Sequence, residues 1–207
     1  MIETPALAMI IGVAAFSITG VIAGARQDAN IFTVVVLGVV TAVGGGTVRD
    51  ILLEVPIFWT QEFFLIWVAI LASCIAFLFS HNVIQKLSRT FLYADAIGVA
   101  FFSIAAIDKT LALGQTATVA VVMGFVTACF GGVIRDLLTG TPPLMIASED
   151  LFVTPAVIGG MLYVILLKAA PAYASIWSVV AIVFIFLFRV YAIQTGLQYP
   201  KKLRMHL

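Results

Sequence analysis

Charge is what this sequence has least of. Of its 207 residues only 10% are Asp, Glu, Lys or Arg, against about a quarter in ordinary globular domains. Hydrophobic residues make up 63% and the mean hydropathy is +1.18. No polar stretch is long enough for a soluble domain, so the chain reads as a single membrane domain, 1–207, with its function inside the spans. A net charge of +1 leaves no basic face able to neutralise a row of phosphates, which excludes nucleic acid as a partner. Histidine and cysteine are equally scarce, two of each. His81 and His206 fall in a loop and in the tail, and Cys74 and Cys129 lie in apolar runs as small hydrophobes. Without a nucleophile–base set or a metal-ligand spacing, the chain reads as neither an enzyme nor a holder of a cofactor or metal. Also missing after Met1-Ile2-Glu3 is a basic leader with a small-residue cleavage site, so the first apolar run is expected to be a retained span.

What is present is apolar sequence in membrane-crossing lengths of roughly 20 residues. Cutting at charge and turn clusters predicts seven spans: Leu7–Ala25, Ile31–Leu53, Phe63–Ser80, Phe91–Ile107, Thr116–Leu138, Leu151–Lys168 and Tyr173–Ile193. Arg26, Lys86, Arg89, Lys201, Lys202 and Arg204 then lie opposite the N-terminus, and only Lys109 and Lys168 share its side. That asymmetry predicts an external N-terminus and a cytoplasmic C-terminus. Trp59, Trp67, Tyr93, Tyr163, Tyr173 and Tyr199, near span ends, read as an interfacial belt, and the Phe-rich seventh span as a lipid- or bundle-facing helix.

Two motifs break the apolar monotony, TAVGGGTVRD at Thr41–Asp50 and TACFGGVIRD at Thr127–Asp136. A shift of 86 residues superposes them and also carries Phe16-Ser17-Ile18 onto Phe102-Ser103-Ile104, Gly38 onto Gly124 and Pro56 onto Pro142, without a gap. Each copy holds three spans, 7–80 and 91–168, and an odd number of crossings inverts the second copy in the membrane. The predicted fold is therefore an all-α membrane protein of seven transmembrane helices, two inverted three-helix repeats plus a seventh helix at 173–193.

Glycine in a helix interior costs about 1 kcal/mol relative to alanine, so Gly44, Gly45 and Gly46, and Gly131 with Gly132, mark soft points in the second and fifth spans. One reading is close helix packing. The other, favoured by the consecutive triplet and its matched pair, is a kink or unwound turn lining a cavity and giving a small ion a waypoint. Arg49 and Arg135 follow Gly45 and Gly131 by four residues, on the same helical face. They either snorkel to water, Arg49 being about 27 Å along its helix from Ile31, or condition the path together with Asp50 and Asp136. Neighbouring Arg and Asp point about 100° apart, so their salt bridges are expected with other spans. Asp95, whose counterpart is Met9, is either an interfacial acid at a helix start or a carboxylate biasing one half of the path. Thr41, Thr127, Ser17 and Ser103 are candidate path-lining hydroxyls; a serine bonded back to its own helix is the alternative.

The doubled glycine-Arg-Asp signature in a three-plus-three-plus-one chain resembles the trimeric intracellular cation channel (TRIC) family in its prokaryotic branch. The resemblance covers essentially the whole chain. It implies a potassium-permeable channel for monovalent cations in a prokaryotic inner membrane, a homotrimer among membrane lipids with one pore per protomer between kinked helices two and five. On that pattern Gly44, Gly45, Gly46, Gly131 and Gly132 match the kinks, and Arg49, Asp50, Arg135 and Asp136 the charges beside the pore. Phe130, in the place of Gly44, departs from the internal symmetry. The same domain family is also labelled a glycine transporter, so the alternative is a secondary carrier for glycine or another small amino acid.

Overall fold

The computed structural model describes residues 6–83, 88–147 and 151–198; Lys86, Tyr199, Lys201, Lys202, Arg204 and His206 lie outside them. The chain is built from helices: α1 (Ala6–Ala25), α2 (Ile31–Leu52), the short α3 (Phe58–Gln61), α4 (Phe64–Val83), α5 (Ser88–Ala112), α6 (Ala117–Leu138), the short α7 (Leu144–Ala147), α8 (Thr154–Ala169) and α9 (Ala174–Thr195). Among the described residues five helices, α1, α2, α5, α6 and α9, are long and apolar enough to cross a membrane, and α4 and α8 carry shorter apolar stretches, Phe64–Phe79 and Thr154–Ala169. The protein is a multi-pass, all-helical membrane protein. Its outer faces are apolar in helical rows, as lipid requires: Trp67, Leu71 and Leu78 on α4, and Val179, Val183 and Leu187 on α9, are all exposed.

The 86-residue correspondence holds bond for bond at the helix ends. Asn30 caps α2 by accepting from the Thr33 amide, and Thr116 caps α6 by accepting from the Val119 amide. Each helix ends in the same turn, with Val55 N donating to Asp50 O (3.0 Å) and Thr141 N to Asp136 O (2.9 Å). Matched residues also take the left-handed conformation, Asp28 and Gly114 before the two helices, Glu54 and Gly140 after them.

Glycines let the helices meet closely. A Cβ on Gly38 would press on the Ser17 carbonyl oxygen at 3.1 Å, and one on Gly124 on the Ser103 carbonyl oxygen at 2.9 Å. Between the copies the contacts are reciprocal. Gly12 faces the ring of Phe102 and Gly98 that of Phe16, and the two rings stack with centroids 5.2 Å apart. Where α2 meets α6, a Cβ on Gly45 would collide with the Thr127 carbonyl oxygen, and a Cβ on Gly131 with the Thr41 carbonyl oxygen.

That crossing corrects one expectation. Both α2 and α6 continue as unbroken helices through their glycines, so no unwound turn is present. The missing side chains admit the neighbouring helix's backbone rather than loosening their own. Gly46 does the same for the edge of the Phe58 ring, which would meet a Cβ at 2.6 Å.

Candidate functional site

The C-terminal turns of α2 and α6 each carry a buried charge node. At the first, Arg49 and Asp50 have 3% and 0% exposed side chains. Arg49 donates from Nε and Nη2 to Asp50 Oδ1, both at 2.8 Å. Lys109, from the last turn of α5, donates to the same oxygen at 2.8 Å. Asp50 Oδ2 accepts from the Phe58 backbone amide at 2.8 Å, which fastens α3 to the node. The Phe58 ring lies 5.7 Å from the guanidinium.

The second node repeats this plan. Arg135 Nε donates to Asp136 Oδ1 at 2.7 Å, and Asp136 Oδ2 accepts from the Leu144 amide at 2.9 Å, which fastens α7. Here the extra partners belong to the arginine: its Nη1 donates to Thr19 Oγ1 at 2.9 Å and to Asp95 Oδ1 at 3.2 Å. Phe91 lies under two guanidiniums, Arg135 at 4.6 Å and Arg26 at 4.8 Å. A cavity of about 180 Å³ opens beside this node, lined among others by Ala23, Arg26, Gln27, Asp136, Thr139 and Thr141.

Several expectations change. Both arginines are buried, so neither snorkels. Each Arg–Asp pair does bridge internally, because the long arginine folds back over the 100° between neighbours, and contacts with other helices come in addition. Asp95 is no interfacial acid; it is buried two turns into α5. The hydroxyls of Ser17 and Ser103 are buried and have no hydrogen-bond partner among the described residues, so neither bonds back to its helix. Those of Thr41 and Thr127 do bond back, to Leu37 O (2.6 Å) and Met123 O (2.7 Å). Tyr163 leaves the interfacial belt; it is buried and its hydroxyl donates to Asp108.

Three participants escaped the sequence reading. Lys109 looked like a loop residue, because the apolar stretch ends at Ile107 while α5 runs to Ala112. Asp108, beside it, ties α5 to α8 through Tyr163. Arg189 in α9 is buried over the Phe152 ring at 4.5 Å and donates to Leu151 O at 3.1 Å, so the seventh helix turns this face to the bundle, the second of the two orientations expected of it. The signal for the last lay in plain view, a single Arg in an otherwise apolar span. Among the described residues no group of three or more His, Cys, Asp or Glu gathers to hold a metal.

Comparison with known proteins fits this arrangement. A family model described as glycine transporter matches twice, over 6–81 and 92–168, once per copy of the repeat. A UPF0126 membrane protein of Vibrio cholerae is 34% identical over 191 residues, covering 91% of this chain and 79% of its own length. The crystal structure of the TRIC trimeric intracellular cation channel orthologue from Rhodobacter sphaeroides is 33% identical, with a TM-score of 0.86 and coverage of 92% of this chain and 97% of that one. The chain belongs to the TRIC family. A second relative, the UPF0126 inner membrane protein YadS of Escherichia coli, is 33% identical over 92% of both chains. The TRIC family is one of membrane channels and not of enzymes, and this chain has the TRIC-like helical fold.

Proposed function

We propose that this protein is a potassium-permeable channel for monovalent cations in a prokaryotic inner membrane, assembled as a homotrimer with one path per protomer past the α2–α6 crossing. The observation that carries this reading is the likeness, at 33% identity, to a structure described as a trimeric intracellular cation channel. The buried charges agree with it. Ionisable groups cost too much inside a membrane to be kept without a role, and here Arg49, Asp50, Arg135, Asp136 and Asp95 are all withdrawn from the surface.

The domain is a three-helix repeat at 7–80, its inverted copy at 91–168 and a seventh transmembrane helix at 173–193. Reciprocal contacts between matched residues, Gly45 with Thr127 and Gly131 with Thr41, are what a two-fold relation between the copies requires. The glycines form the narrowest point, where α2 and α6 must part for ions to pass, and the nodes stand at opposite mouths. Thr41 and Thr127 line that point. Ser17, Ser103 and Asp95 lie on the helices beside it, with the hydroxyls and Asp95 Oδ2 buried and without a hydrogen-bond partner among the described residues. The permeant ion is potassium, no cofactor takes part, and lipid surrounds the trimer. An external N-terminus and a cytoplasmic C-terminus follow from the loop charges.

A carrier for glycine or another small zwitterion is the second reading. The 180 Å³ cavity favours it, because a carboxylate, Asp136, and a guanidinium, Arg26, line the same space. Current across a planar bilayer containing the purified protein, in asymmetric potassium chloride, separates the two. Unitary steps reversing near the potassium potential support the channel. Electrical silence with saturable glycine uptake in matching liposomes supports the carrier.

A further inference from the structure

The two copies of the repeat part company on their outer faces. An apolar groove of about 370 Å³ runs between α6 and α8, with Ala117, Thr118, Val121, Val122, Val157 and Ile165 in its walls. The matching residues of the first copy are Ile31, Phe32, Val35, Val36, Leu71 and Phe79. Four of these six positions have lost bulk in the second copy, and in the first Phe32 and Phe79 stand 77% and 69% exposed. Phe125 alone goes clearly the other way, replacing Val39 at the deep end of the groove. The backbone helps to keep the space open. A Cβ on Gly160 would meet Ile107 at 2.9 Å but Val121 only at 3.7 Å, and one on Gly159 would collide with Ile185, so α8 leans on α5 and α9 and stands off α6.

Ala117 to Phe125 is about 12 Å of helix, so the groove lies within one leaflet of a hydrocarbon core about 30 Å thick. An apolar cavity of about 150 Å³ takes a benzene ring, and at that rate this one holds roughly a dozen carbons. Its shallow end is where α6 begins and α8 ends. There Lys168 follows Ile165 by three residues and Met161 by seven, on the face of the groove, and is exposed. Tyr173 and Trp177, edge to face at 6.4 Å, come next in the chain and mark headgroup level. The charge at this end is of one sign: neither 109–135 nor 151–207 contains an Asp or Glu, and Asp108, just before the first stretch, is buried and takes the Tyr163 hydroxyl. The repeat counterpart of Lys168 is the neutral Asn82.

We propose that the α6–α8 groove is a binding site for one anionic glycerophospholipid, an acyl chain lying against Ala117, Thr118 and Val122 and the phosphate reaching the Lys168 ammonium. The groove supplies the burial and the lysine the preference for negative charge. On the expected topology the lipid belongs to the outer leaflet, because α6 starts and α8 ends on the side of the N-terminus. The site depends on neither the channel nor the carrier reading. It sets the second copy of the repeat apart from the first, which carries neither the small residues nor the charge.

The test is native mass spectrometry of the full chain in dodecyl maltoside, titrated with dilauroyl phosphatidylglycerol or dilauroyl phosphatidylcholine. The wild type should hold one phosphatidylglycerol per protomer in preference to phosphatidylcholine. Lys168→Asn should reduce that preference about fivefold, the share of one basic residue beside an anionic lipid. Ala117→Ile/Thr118→Phe, which rebuilds the wall of the first copy, should weaken both lipids about tenfold, as when two or so methylenes lose their contacts, and leave the oligomer intact. Undiminished binding by the double variant, or no preference in the wild type, would overturn the proposal; so would an oligomer that falls apart in the double variant, since another copy of the chain would then be what the groove receives. Should the double variant not fold, Val122→Cys in a background without Cys74 decides. Phosphatidylglycerol should slow its reaction with N-ethylmaleimide several-fold while leaving Leu187→Cys, on the exposed face of α9, unchanged, and equal rates with and without the lipid, or equal slowing at both positions, would overturn the site.

Discussion

Phe16 and Phe102 are the same residue of the repeat, and they stack on each other with planes 22° apart. Each ring also covers the glycine that stands one helical turn before the other, Gly12 under Phe102 and Gly98 under Phe16. Such a ring pair contributes about 0.5–1.5 kcal/mol beyond the area it buries. It holds α1 to α5 beside the α2–α6 crossing, and α5 in turn delivers Asp95 to one node and Lys109 to the other.

Substitution at the crossing should be graded by what each missing Cβ would meet. Gly45→Ala and Gly131→Ala push a methyl group into a backbone carbonyl that cannot turn away, and each should cost about 1–3 kcal/mol. Gly44→Ala meets only the flexible end of Ile134 at 3.0 Å, and Phe130 already occupies the matching place in α6. Thermal unfolding in detergent should rank Gly44→Ala well above the other two.

Glu54 sits in the left-handed region at φ 54°, where its counterpart is Gly140 at φ 66°. A residue with a Cβ loses about 1–2 kcal/mol there. Glu54→Gly should therefore raise the melting temperature, by a gain of about 1 kcal/mol once the added freedom of the unfolded chain is counted. A lowered melting temperature would show that the Glu54 side chain makes up for its backbone.

The two nodes should differ in their tolerance of losing a carboxylate. Asp50→Asn leaves Arg49 and Lys109 together with no anion bonded to either among the described residues, and removing one partner of a buried pair costs about 3–5 kcal/mol. Asp136→Asn leaves Arg135 still bonded to Asp95, so its loss should be smaller. Unfolding measurements on both, with Asp50→Asn/Lys109→Met expected to recover part of the first loss, test this order. Cation conductance should fall in both single variants.

Inversion of the copies makes its own prediction. Gln27 and Gln115 are exposed in the turns before α2 and α6. A cysteine placed at each in turn, in a background without Cys74, should react with an impermeant thiol reagent from opposite sides of the membrane. Labelling of both from one side would remove the inverted topology.

Helices and repeat register were legible in the sequence because composition and self-similarity are local facts: each expected span overlaps one helix, and the matched turns at Glu54 and Gly140 obey the same register. The unwound turn expected at the glycines is absent for a physical reason. A missing Cβ loosens a helix or admits a neighbour equally well, and what decides at Gly45 is the Thr127 carbonyl, far away in the chain. Lys109 was hidden by its own charge, which ended the apolar stretch while the helix went on for another turn. The Arg–Asp pairs were placed correctly in the chain, but helical angles say nothing of how far an arginine side chain can fold back.

The acids at Asp50 and Asp136 each spend one oxygen on an arginine and the other on the first amide of a short helix. Carboxylate and loop are thus a single mechanical part, like a latch whose bolt is the charge itself. Whatever displaces the carboxylate must pull α3 or α7 with it, and whatever shifts those short helices must move the charge. The interior of the protein is in this way handed an exterior lever at each end.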